Sequence, residues 1–160
     1  TIEQSNNSLK ITSRSHCHNF VETQLSNFRV IELVCNTGTD GGATWGPGIV
    51  VAWSGGMVKV NLRRNGKFGG YYNTNYQFDG DNVQPSTNYR LRFRRTATHI
   101  MGEVGTMGGN MITMVAIPIS LFNFSGAVLR VGKTGELGNN VNHSDPGENG
   151  SCSFMNLRIE

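Results

Sequence analysis

The sequence predicts an all-β domain built as a two-sheet antiparallel sandwich, and three observations predict it. Helix signals are missing: no window sustains an apolar period of 3.6 residues. Short apolar runs recur instead, separated by glycine and asparagine. Charged residues make up 16% of the 160 residues, below the globular norm of about 25%, while glycine reaches 21 residues. Amides and hydroxyls then carry solubility, as is usual in strand-and-loop proteins outside the cytosol.

The elements follow in order. Strands are expected near Phe20–Leu25 and Phe28–Cys35, then Gly48–Trp53, where Ile49, Val51 and Trp53 share one face and Val50 and Ala52 the other. Ser54-Gly55-Gly56 turns the chain into Met57–Arg63. Asn65-Gly66 suits a tight type I′ hairpin turn into Lys67–Tyr72. Asn88–Arg94 reads NYRLRFR, with Arg90, Arg92 and Arg94 on one face and Leu91 and Phe93 on the other. His99–Val104, Gly108-Gly109, Ile112–Ile117, Ala127–Val131 and Cys152–Ile159 complete the set. The polar stretch GKTGELGNNVNHSDPGENGS before the last strand is long for a loop, which marks it as functional or irregular. No repeat or linker divides the chain, so residues 1–160 are expected to form one domain, with a core from about residue 17 onward.

Charge and motifs exclude several functions. The net charge of +3 collects at Arg90, Arg92, Arg94 and Arg95 and at Arg63, Arg64 and Lys67, but no nucleic-acid-binding motif accompanies it. No apolar stretch is long enough to insert in a membrane. Gly46-Pro47-Gly48 leads into a strand rather than a helix, and no Gly-Lys-Ser/Thr follows, so phosphate-loop readings fail. Cys17 between His16 and His18 cannot close a tetrahedral zinc site alone, because neighbours on a strand point to opposite faces. Cys35 and Cys152 would approach if the last strand ran antiparallel to Phe28–Cys35, with Cys17–Cys152 as the competing pair.

The order of strands and turns resembles the concanavalin A-like lectin/glucanase superfamily, in its laminin-G-like and bacterial carbohydrate-binding branches. TWGPGIVVAW is similar to that family's Gly-Pro-Gly-apolar strand. MVKVNLRRNGKF is similar to the hairpin after it, and YRLRFRRTATHIMGEVG to its paired arginine-bearing strands. VLRVGKTG and CSFMNLRIE resemble the last two strands, the final one closing against the N-terminal strand. The resemblance spans Phe20 to Glu160 and implies a concanavalin A-like jelly roll.

Catalytic signals are sparse. Glycosidases work with two carboxyl groups set across one bond, and the ExDxE and ExDxxE patterns of the family's glucanases are absent. Glu32 with Glu103 is the dispersed pair that strands could assemble. Sugar binding, by contrast, calls for aromatic platforms beside planar amides and carboxylates. GGYYNTNYQFDGDN offers Tyr71, Tyr72, Asn73, Asn75, Tyr76, Asp79 and Asp81, and Trp45 adds a ring. Asp79 and Asp81 are the candidate metal ligands; calcium, with Asp40, Asp145 and Glu148 contributing, is the candidate cofactor. Asn139, Asn140, Asn142 and His143 could border the same site. The sequence-level expectation is a non-catalytic carbohydrate-binding or adhesive module, not an enzyme. Its setting would be extracellular or at the cell surface, within a larger protein bearing catalytic or surface-anchored domains. The alternatives are a laminin-G-type protein–protein interaction domain and a glycoside hydrolase with dispersed carboxylates.

Overall fold

A computed structural model of the chain describes residues 2–13, 19–39, 46–63, 67–79, 83–133 and 150–160. These form thirteen strands: β1 (Ile2–Ser5), β2 (Ser8–Ser13), β3 (Asn19–Gln24), β4 (Val30–Asn36), β5 (Pro47–Trp53), β6 (Gly56–Arg63), β7 (Lys67–Tyr72), β8 (Asn75–Asp79), β9 (Asn88–Arg95), β10 (His99–Thr106), β11 (Met111–Pro118), β12 (Val128–Lys133) and β13 (Gly150–Ile159). One 3-10 turn, Ile119–Leu121, is the sole helical element among the described residues. A seven-stranded sheet in the order β1-β2-β13-β4-β9-β10-β11 packs on a six-stranded sheet in the order β3-β12-β5-β6-β7-β8. All pairings are antiparallel, so this is a jelly-roll sandwich of the concanavalin A-like kind.

Alternation builds the core. On β9, Tyr89, Leu91 and Phe93 point inward; on β4, Ile31, Leu33 and Cys35 do; on β6, Val58, Val60 and Leu62 do. Each is almost fully removed from water, which stabilises the fold by about 1.5–3 kcal/mol per large side chain. Trp53 closes one end as expected, 4.7 Å from the Phe122 ring centroid; Phe28 meets Phe122 edge-on at 6.0 Å.

Turn chemistry fixes the registers. Ser5 pairs with Ser8 across Asn6-Asn7, both left-handed at φ 45° and 64°, a conformation that asparagine tolerates better than most residues. The β6–β7 hairpin departs from the expected two-residue turn. Arg63 pairs with Lys67, which leaves three residues, 64–66, between the strands.

The last strand does lie antiparallel to β4, and it closes against the N-terminal β2. That register nevertheless separates the thiols. Cys35 faces Phe154 and Cys152 faces Ile11, so the two cysteines are diagonal rather than opposed. Diagonal positions lie about 7–8 Å apart, beyond the roughly 4.4–6.8 Å that a disulfide spans, and the two are not bonded to one another. Cys17, His16 and His18 lie outside the described residues.

Candidate functional site

The outer face of the six-stranded sheet carries two rows of side chains that cross every strand. Glu22, Arg130, Val50, Lys59, Tyr71 and Tyr76 form one row. Phe20, Gly132, Gly48, Asn61, Gly69 and Phe78 form the next. Outer faces are ordinarily solvated, yet Lys59, Asn61 and Tyr71 have no exposure at all. Burying an ammonium and two polar groups is costly unless they are engaged, so their placement at the centre of the sheet is the first sign of a site.

Glycine shapes the floor. A Cβ at Gly69 would run into Asn61 Oδ1, and one at Gly48 would crowd the Val60 carbonyl and the Asn61 stem. Bare backbone on both sides therefore lets the Asn61 carboxamide lie low across the sheet. The Lys59 ammonium stands 4.8 Å from the Tyr71 ring centroid, a cation–π contact. Tyr71, Tyr76 and Phe78 form a ring cluster with centroids 5.0–5.9 Å apart, and Tyr76 is 60% exposed at the sheet edge. At the other edge Arg130 Nε donates to Glu22 at 2.7 Å and stacks over Phe20.

The sequence-predicted residues separate accordingly. Tyr71 and Tyr76 share the outer face. Tyr72, the neighbour of Tyr71, faces the other way and packs on the core. Asn73 makes the β7–β8 turn at φ 51°, and its Oδ1 accepts from the Met57 amide at 3.0 Å. Asn75 and Asp79 are exposed at the ends of β8. Trp45, Asp81, Asp40, Asn139, Asn140, Asn142, His143, Asp145 and Glu148 lie outside the described residues. Among the described residues no group of three His, Cys, Asp or Glu could hold a metal. Lys59 and Asn61 were not expected: in MVKVNLR they occupy alternate positions, which reads as a solvated face.

The dispersed pair Glu32 and Glu103 is not a catalytic pair. Both sit on the outer face of the seven-stranded sheet, in register on either side of Arg92. Glu103 accepts from Arg92 at 2.6 Å and from Arg94 at 2.8 Å, while Glu32 lies 3.6 Å from Arg92 and 3.7 Å from Arg158. One strand, β9, separates the acids, two inter-strand spacings or about 9.6 Å of backbone, and a guanidinium fills the gap. The hydrogen bond and charge of Glu103 raise the Arg94 pKa above its ordinary value, against a small opposing effect of burial.

The connections of the six-stranded sheet converge. Lys133, at the end of β12, pairs with Pro47 at the start of β5 and with Asn19 at the start of β3. At the same end of the sheet Leu62 pairs with Phe68, and Phe68 with Asp79 at the end of β8. Segments 14–18, 40–45, 64–66, 80–82 and 134–149 therefore all join the sheet at one end, beside the row of Asn61. They hold five of the eleven acidic residues: Asp40, Asp81, Glu136, Asp145 and Glu148.

No protein-family model matches the chain, and no curated protein does. Solved structures do match. A functionally unknown protein from Saccharomyces cerevisiae aligns over 100% of this chain and 91% of its own, with TM-score 0.67 and 12% identity. A laminarinase from Flavobacterium sp. aligns over 99% of this chain and 80% of its own, with TM-score 0.64 and 10% identity. A galectin from Caenorhabditis elegans aligns over 96% of each chain, with TM-score 0.54 and 11% identity. Among the matched structures with a named activity, enzymes of glycans predominate over lectins. This overturns the expectation of a non-catalytic module that is not an enzyme, which rested on the lectin side of the resemblance; the catalytic alternative is the better supported. The chain has the concanavalin A-like jelly-roll fold that lectins and glycoside hydrolases share.

Proposed function

We propose that the chain is a glycan-cleaving enzyme, a glycoside hydrolase whose substrate lies across the outer face of the six-stranded sheet. The observation that carries this reading is the register at one end of that sheet, where Lys133 pairs with Pro47 and Phe68 with Asp79, so that the connections bearing five acids leave the described strands there. Hydrolysis of a glycosidic bond needs a proton donor and a second carboxylate about 5–5.5 Å or 6.5–9.5 Å away. Glu22 does not serve: it is bound to Arg130 and lies three strands from Lys59, about 14 Å. The candidate acids are Asp40, Asp81, Glu136, Asp145 and Glu148, which lie outside the described residues. Tyr76 offers its exposed ring to the apolar face of a sugar, backed by Tyr71 and Phe78. Lys59 and Asn61 are fully buried, and they hold Tyr71 and the sheet face in place beneath the substrate rather than touching it. Asn75 and Asp79, exposed at the ends of β8, would border the substrate. Asp79 and Asp81 are the residues that would hold a calcium ion, which would order that border, and a polymeric glycan outside the cell is the fitting substrate.

The test is reducing-end release from laminarin, mixed-linkage β-glucan, xyloglucan and xylan. We expect cleavage of at least one β-glucan. Replacing the five acids singly by their amides should lower kcat by about 10²–10⁴-fold at two positions and leave the other three near wild type. Absence of cleavage across the panel overturns the reading, as does full activity in all five variants.

A further inference from the structure

A concavity lies away from that face, between the two sheets at their β1–β2 and β3 side. Its volume is about 510 Å³. Leu9, Val21, Leu33, Val131, Phe154 and Leu157 make its apolar wall. Leu33 and Val131 belong to the main core and come from opposite sheets, so the crevice reaches the interior of the sandwich. Val21 lies opposite the core residue Val131 on β3 yet is 37% exposed, and Leu157 is 50% exposed. Inward-directed aliphatic side chains left wet mark a place where the core lacks its filling.

The rim is polar and built. On one side stands the left-handed Asn6-Asn7 turn with Gln4 and Ser8; on the other stands Asn156. Between Met155 and Arg158 the β13–β4 register gains one residue, and within that bulge Asn156 takes φ 57°. Bulges of this kind re-aim side chains and end pairing next to binding sites. Among the described residues the lining holds only amides, a hydroxyl and apolar groups, and none of these carries a formal charge. An ionised ligand would find no counter-charge here and would lose its hydration. An uncharged apolar body would bury its surface on the wall, with a hydroxyl or amide head facing the rim. The volume falls within the roughly 300–1,000 Å³ range of small-molecule pockets.

We propose that this crevice binds a neutral amphiphile, an alkyl or aryl chain with an uncharged hydrogen-bonding head. The site is independent of the glycan-cleaving reading.

The probes are 1-decanol, decanoate and decyltrimethylammonium, titrated into the full chain and followed by amide and methyl NMR shifts. We expect saturable decanol binding with shifts at Leu9, Val21, Leu33 and Leu157, and at least tenfold weaker binding of both charged homologues. Val21→Trp and, as a second rim variant, Leu157→Trp should each reduce decanol affinity at least tenfold while the far-ultraviolet circular dichroism spectrum and the thermal midpoint stay near wild type. Equal binding of all three probes, or shifts that map elsewhere, overturns the proposal. So does a concentration-dependent dimer that Val21→Trp dissociates, because the occupant would then be a second copy of the chain.

Discussion

Replacing Glu103 by glutamine tests the electrostatic anchor of the seven-stranded sheet. The Glu103 side chain is 4% exposed and accepts from Arg92 at 2.6 Å and Arg94 at 2.8 Å. Glutamine keeps the shape but exchanges one acceptor oxygen for an N–H donor that faces a guanidinium. A hydrogen bond to a charged group contributes about 1.5–3 kcal/mol, and breaking a fully buried ion pair costs about 3–5 kcal/mol. The arginines are only partly covered, at 23% and 39% exposure, and Glu32 continues to balance Arg92 at 3.6 Å. The upper range is therefore discounted, and the expected loss is about 2 kcal/mol. In a chain of this size that lowers Tm by about 4–8 °C. Glu22→Gln is the control: its pair with Arg130 is 32% and 41% exposed at the sheet edge, and should matter by at most about 0.5 kcal/mol. Urea melts followed by far-ultraviolet circular dichroism give both values, with an unchanged m-value as the check that the ensemble is the same. Equal losses in the two variants would refute the argument that burial, rather than the presence of an ion pair, sets the magnitude.

Other outcomes follow from the same structure. Phe28→Ala removes the ring packed on Phe122 and Phe124 and should cost about 3–5 kcal/mol in the same melts. Gly70→Ala would drive a Cβ into the Met114 backbone carbonyl on the facing sheet and should cost at least about 3 kcal/mol; Gly108→Ala, which meets open space, should stay within about 0.5 kcal/mol. The raised pKa of Arg94 makes its contribution complete below the unfolded-state value and lost only as pH rises through the higher folded-state value. The stability difference between wild type and Arg94→Met should therefore show no change from Arg94 titration across the neutral range. Non-reducing peptide mapping should find no Cys35–Cys152 cross-link, as their diagonal register requires.

Strands that alternate cleanly were legible in the sequence. Tyr89, Leu91 and Phe93 set against Arg90, Arg92 and Arg94 reveal both the strand and its inner face, whereas the β5 stretch IVVAW, apolar throughout and buried on both faces, reveals only the strand. β1, β2 and β8 escaped because IEQS, SLKITS and NYQFD carry too few apolar residues to show a period of two. Edge position explains this for β1 and β8: an edge strand buries little, so little apolar patterning is demanded of it. The site was half legible. The tyrosine-rich stretch was found, but adjacency in sequence hid that Tyr71 and Tyr72 serve opposite faces. Lys59 and Asn61 gave no signal, because alternation predicts a solvated position, whereas both are fully buried. The acids Glu32 and Glu103 were picked as strand-borne carboxylates, and only the pairing through β9 shows that Arg92 stands between them.

The placement of β13 between β2 and β4 has a kinetic consequence. Thr12 on β2 is joined to Ser151 on β13 by a hydrogen bond that spans 139 positions, so the middle of one sheet waits on the closure of most of the chain. Topologies dominated by such distant partners fold on the millisecond-to-second scale. Until β13 arrives, β2 and β4 present unsatisfied backbone to any passing chain. Recombinant yield should accordingly improve with slow synthesis at low temperature more than with any single stabilising substitution.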